Sequence, residues 1–209
     1  LPETHVVVLR RDQLVGGYDD AWNRLRQSQG DGTLPRTVLL VTHDQSEALS
    51  LSDRMAVMCD GGIEQIGTPL ELYEKPANVT VRDFLGRIQI LHGRVDSANE
   101  EAVTVVLAGG ISLSVHGSRP LPASGQSASL AIRPEYISIL PQHDASDVNT
   151  IAGTLETLLF VGDHYEAQIR ITDDHILELR LSREVVWREG QQLTLKLPFD
   201  RITLWLTTA

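Results

Sequence analysis

The sequence predicts an α+β chain that is mostly β. Two observations carry that reading. Residues 37–86 alternate apolar, β-prone runs with capped helical stretches, and residues 87–209 break into short β-like runs with turn residues every eight to twelve positions. The change of texture near residue 87 suggests three parts: an irregular segment 1–36, an alternating segment 37–86 and a β-rich segment 87–209.

Bulk properties narrow the function classes. The chain has 209 residues, 28 acidic against 18 basic, for a formal net charge of -10. That balance speaks against nucleic acid or an anionic membrane as partner, because phosphate surfaces demand clustered Lys and Arg. The single cysteine, Cys59, allows no disulfide framework within one chain and fits a reducing cytosol. Apolar runs such as Val6–Leu9 and Val38–Val41 are too short to span a bilayer. The N-terminus lacks the charged-then-apolar pattern of a secretion signal. The expectation is a soluble, cytoplasmic, acidic protein.

In chain order, "HVVVL" reads as an apolar burst, residues 20–29 as a short helix and "GDGTLP" as loop. Thr37–Val41 is a continuous β-prone run, expected to be buried on both faces. Asp44 followed by Glu47 is a capping pair that starts a helix at Gln45 and leaves His43 on the turn after the strand. Arg54–Cys59, then "DGG", then Ile63–Ile66 is a β-hairpin, because Asp-Gly supplies the positive φ that such turns need. Thr68-Pro69-Leu70-Glu71 starts another helix, which Pro76 stops; Asn78 caps a third, which Gly86 ends.

Beyond residue 87, "GRVDSANEEAVTVVLAGGISLSV" alternates around two turns, and "SASLAIRPEYISIL" gives two strands interrupted at Arg133-Pro134. "PQHDASDVN" is a polar linker between two β segments of similar size. Each segment opens on a matching triplet, Gly93-Arg94-Val95 and Gly153-Thr154-Leu155, a faint internal repeat. Its spacing predicts paired barrels that exchange their terminal strands.

Residues 37–86 then carry a family resemblance. "VTHDQ", "EAL", "SDR", "AVM", "GTP", "ELY" and a "P-x-N" in that order resemble the end of the ATPase domain of bacterial ABC importers, in the subfamily serving polyamine, ferric-iron, sulfate and sugar uptake. "LAIRPEYISIL", "NTIAGTLETLLFVGDHYEAQI" and "RITLWL" resemble that subfamily's TOBE (transport-associated OB) domain. The resemblance covers roughly residues 37–206. It implies the remnant α/β end of an ABC ATPase domain followed by an OB-like β-barrel TOBE domain. It also implies ATP and Mg²⁺ as cofactors of the intact family member, membrane-embedded permease subunits as partners, a homodimer through the TOBE region, and a place at the inner face of the cell membrane.

By the same resemblance His43 is the switch histidine that meets the γ-phosphate. No G-x-x-x-x-G-K-[ST] phosphate loop occurs in the sequence. "HVVVLRRDQ" offers a strand and Asp12 but no Asp-Glu pair, and "ASGQS" at 123–127 echoes a signature loop where a turn is the better reading. The chain thus reads as the tail of a larger ATPase, with His43 inactive and no ATP binding expected for it alone. Other chemistry is less supported. The histidines, His143-Asp144 included, show no metal-ligand spacing, and no serine has a nucleophile-elbow context. Arg133 and Glu135 are expected to point outward around the proline. Trp187, Trp205, Tyr165 and Phe160 read as core rather than as a base-stacking surface. The alternative function is a stand-alone TOBE regulatory or small-solute-binding module without ATPase activity.

Overall fold

A computed structural model describes residues 4–11, 37–117, 119–140 and 148–206. The helix expected at 20–29, the "GDGTLP" loop, Asp12, and His143 and Asp144 lie outside the described residues. The chain divides into two compact units, Leu1–Gly86 and Arg87–Ala209.

The first unit contains β1 (Thr4–Arg11), β2 (Thr37–Thr42), α1 (Gln45–Leu51), β3 (Arg54–Cys59), β4 (Gly62–Gly67), α2 (Pro69–Glu74) and α3 (Val79–Phe84). Its strands form one antiparallel sheet in the order β2-β1-β3-β4. Asp60 (φ 51) and Gly61 (φ 78) make the tight β3–β4 turn, as the Asp-Gly pair foretold. Thr68 and Glu71 close a reciprocal capping box at the start of α2, and the Asn78 side chain caps α3. Ala48, Met55, Val57, Leu72, Val81 and Leu85 form the core, with Leu40 packed against it. Contrary to expectation, Thr37–Val41 is not buried on both faces. Leu39 is 62% and Val41 59% exposed. Side chains alternate along a strand, so Leu40 turns to the core while its neighbours turn away from it. The physical reason is position: β2 is the outer strand of its sheet.

In the second unit, β5 (Gln89–Ala98), β6 (Ala102–Leu107), β7 (Ser112–His116), β8 (Ser127–Ile132) and β9 (Ser138–Leu140) come first in the chain. They are followed by β10 (Thr150–Phe160), β11 (His164–Thr172), β12 (His175–Ser182), β13 (Gln192–Lys196) and β14 (Thr203–Leu206). One five-stranded sheet runs β14-β8-β5-β6-β7 and the other β12-β11-β10-β13-β9. Each sheet therefore takes four strands from its own half and its last strand from the other half. The terminal-strand exchange expected from the repeat is present. A short 3₁₀ turn precedes each exchanged strand, Pro134–Tyr136 before β9 and Phe199–Arg201 before β14. Both sheets contribute to one core, which includes Leu91, Val105 and Leu130 from the first and Leu155, Leu177 and Leu195 from the second.

The repeat extends to atomic detail. Register shifts fall between Val95 and Ser97 in β5 and between Leu155 and Thr157 in β10. The Val95 N–H donates to Gln126 C=O at 2.9 Å, and the Gly125 N–H returns to Val95 C=O at 2.7 Å. Leu155, Gln191 and Gly190 repeat these two bonds at 2.9 and 2.7 Å. Gly125 and Gly190 both sit at φ 81, left-handed backbone that suits glycine.

Side chains complete the closure where the ladders stop. The β5–β6 ladder ends at the Gly93–Leu107 pair, so residues 89–92 of β5 pair with β8 alone. There the buried Gln89 amide reaches β12: its Oε1 accepts the Glu178 N–H at 3.1 Å and its Nε2 donates to Glu178 C=O at 3.3 Å. In the second half, Asn149 Oδ1 accepts the Ser114 N–H of β7 and Nδ2 donates to Ser114 C=O, both at 2.7 Å. Gln89 lies four residues before Gly93, and Asn149 four before Gly153. Each amide supplies the donor and the acceptor that a missing strand would have offered.

Arg133 is the second correction. It is 6% exposed rather than outward-facing, and Nη1 lies 3.5 Å from the Arg87 carbonyl. Glu135 does face solvent. Arg133 follows β8 directly and caps the 3₁₀ turn that redirects the chain, and its side chain reaches back to the Arg87 carbonyl ahead of β5.

Candidate functional site

The turn between β2 and α1 carries the residue singled out by the sequence. Asp44 Oδ1 accepts the N–H groups of Ser46 (2.8 Å) and Glu47 (3.0 Å), which anchors the first turn of α1. Glu47 does not reach back to the cap backbone. Its carboxylate accepts the Thr42 hydroxyl at 3.1 Å, and Thr42 Oγ1 in turn accepts the Asp44 N–H at 3.0 Å. This closed ring fixes the backbone on both sides of His43. The His43 side chain itself is exposed at the strand's C-terminal end. The arrangement presents an exposed imidazole on a turn held by hydrogen bonds on both sides. Among the described residues, no group of three or more His, Cys, Asp or Glu side chains is arranged to hold a metal ion.

Two further clusters lie in the second unit. His92, Arg94, Val106 and Ser127 line an open groove of about 570 Å³ over β5, β6 and β8. His92 Nδ1 lies 3.0 Å from Ser129 Oγ, and Arg94 Nη1 donates to Gly125 C=O at 3.0 Å. On β11, His164 has carboxylates on both ring nitrogens, Asp163 at 2.6 Å and Glu166 at 3.2 Å. Asp163 first, and Glu166 second, hold the His164 pKa above its ordinary value. Glu166 also meets Arg87 (2.8 Å) and Arg180 (3.3 Å), and these contacts hold its carboxyl below the usual range, the His164 bond most of all.

The aromatic residues divide. Tyr165 and Trp187 pack against the core, whereas Phe160 is 56% exposed and leans on Tyr165 with ring centroids 5.4 Å apart. "ASGQS" is a turn, closed by the Gln126 N–H on Ala123 C=O at 3.1 Å. Gln89 and His175, which bind the two sheets together, were not singled out by sequence reasoning. Gln89 had a usable signal in its offset from the repeated glycine, and His175 had none.

Residues 130–205 match the TOBE domain family. The chain is homologous to ATP-binding subunits of ABC importers. It is 38% identical over 173 residues to the spermidine/putrescine import ATP-binding protein PotA of Trichodesmium erythraeum, covering 78% of this chain and 45% of that protein. It is 36% identical over 184 residues to the sn-glycerol-3-phosphate import ATP-binding protein UgpC of Escherichia coli, covering 87% of this chain and 49% of that protein. The chain spans about half the length of the curated relatives it matches. Among solved structures, the cytoplasmic molybdate-binding protein ModG is similar at a TM-score of 0.49 and 15% identity, over 55% of this chain and 93% of that one.

Proposed function

We propose that this chain supplies the C-terminal part of the ATP-binding subunit of an ABC importer, with His43 as the group that meets the γ-phosphate of ATP. The observation that carries the reading is the rigid turn around His43, held by the Asp44 cap and the Thr42–Glu47 bond, within a chain homologous to import ATP-binding proteins. In the whole subunit, ATP and Mg²⁺ would drive uptake through permease partners at the inner face of the membrane. Residues 37–86 would serve as the end of the catalytic domain and residues 87–209 as a regulatory domain that pairs with a second copy. No helix of the described residues is long and apolar enough to cross a membrane.

The described residues do not by themselves fit ATP. Tight binding needs backbone N–H groups cradling the phosphates, a lysine between them and oxygen ligands on Mg²⁺. The turn offers one exposed imidazole, and one charge-assisted hydrogen bond contributes about 1.5–3 kcal/mol where micromolar affinity needs about 8. Calorimetry with Mg²⁺-ATP is expected to give no isotherm below millimolar ligand; a micromolar, Mg²⁺-dependent isotherm would overturn this. In an intact relative, alanine at the residue aligned with His43 is expected to abolish turnover and largely spare ATP binding. Light scattering tests the pairing: a mass of only 23.1 kDa at tens of micromolar protein counts against it.

A second reading, a regulatory or small-solute-binding module without ATPase activity, is favoured by the His92–Ser127 groove. It gains ground if this chain occurs without a companion carrying a phosphate loop.

A further inference from the structure

The two amide clasps close matching seams, but they are not equivalent. Beside Gln89, the seam between β5 and β12 has a second tie: the His92 backbone N–H donates to His175 Nε2 at 3.0 Å. A backbone amide can only donate, so Nε2 must carry a lone pair. The ring is therefore neutral with its hydrogen on Nδ1, which lies 2.9 Å from the Thr172 hydroxyl oxygen. His175 is 6% exposed, so no solvent replaces a lost partner. In the other half the seam consists of the Asn149 amide and the Ser114 backbone, neither of which titrates near neutrality.

We propose that His175 is an acid-sensitive latch between β12 and β5: a proton on Nε2 turns an acceptor into a donor, sets it against the His92 N–H, and releases this seam while the Asn149–Ser114 seam stays closed. With that tie gone, the Gln89 clasp on the Glu178 N–H and C=O holds β12, the outer strand of its sheet, without its neighbour and opens more readily. The titratable groups facing His175 are His92 from β5 and Asp174 from its own turn. Burial lowers the His175 pKa most, the His92 ring adds to this, and Asp174 opposes it. The latch therefore holds at neutral pH and opens only as the solution becomes acidic.

Amide hydrogen exchange on the 209-residue chain tests this, with rates corrected for the intrinsic pH dependence and Ser114 as internal reference. Between about pH 7.5 and pH 5, protection of the His92 and Glu178 amides is expected to fall roughly tenfold or more relative to Ser114. In His175→Gln, whose side-chain oxygen accepts the His92 N–H and does not titrate, that loss should disappear. Protection at His92 that tracks Ser114 across the range overturns the proposal, as does an unchanged loss in His175→Gln. Should the variant fail to fold, the wild-type ring decides. Its NMR titration must coincide with the His92 amide change, and a ring that stays neutral to about pH 5, or titrates without that change, overturns the latch.

Discussion

Asn149 and Ser114 meet through two hydrogen bonds of 2.7 Å, the amide oxygen taking the Ser114 N–H and the amide nitrogen giving to its C=O. Asn149 holds this position with φ 62, a conformation that Asn adopts more readily than most residues. Asn149→Gly keeps that backbone and deletes both bonds, so it is expected to cost about 2 kcal/mol. Asn149→Asp should cost at least as much, because a carboxylate then opposes the Ser114 carbonyl. Urea unfolding measures both, and an Asp variant as stable as the parent contradicts the clasp.

Gly93 and Gly153 occupy matching places, yet their neighbours differ. A Cβ on Gly93 would lie 2.6 Å from the Val106 backbone oxygen, whereas one on Gly153 would meet the Ile169 Cγ2 methyl at 2.7 Å. A ladder carbonyl cannot move without breaking its sheet, whereas the Ile169 methyl gives way by a small shift of its buried, β-branched side chain. Gly93→Ala is expected to cost about 2–3 kcal/mol and Gly153→Ala about 1. Thermal unfolding that ranks them in the opposite order counts against this account.

The Thr150 hydroxyl is buried and has no hydrogen-bond partner among the described residues. Removing an unsatisfied polar atom relieves its desolvation cost, so Thr150→Val should be neutral or stabilising by up to about 1 kcal/mol. A clear loss of stability would show that the hydroxyl has a partner in solution.

His164 should titrate above its ordinary value of 6.5, since Asp163 and Glu166 both favour the charged ring. Its contribution to stability is fully present below the unfolded pKa and is lost as pH rises through the higher folded value. Asp163→Asn is expected to lower the midpoint more than Glu166→Gln, because the Asp163 bond is the larger cause. Ring-proton shifts followed by NMR check both, and a wild-type midpoint at or below 6.5 sinks the prediction.

Local signals were legible wherever a few neighbouring residues decide the backbone. Asp44, Thr68 and Asn78 cap the helices read from their side chains, and Asp60-Gly61 makes the turn its positive φ angles permit. The His43 turn was legible for the same reason. The groove at His92 and the ion cluster on Glu166 were not, because their members come from separate strands whose register no local pattern fixes.

By itself the sequence determined the strand spacing, the caps and the repeated Gly93 and Gly153, since these rest on period, turn chemistry and duplication. Tertiary structure alone decided that Arg133 is buried, that Leu39 and Val41 are exposed, and that Gln89, Asn149 and His175 join the two sheets. The physical reason is that burial and cross-sheet hydrogen bonding depend on which strand edge remains unpaired. That is settled only when both halves close around their shared core.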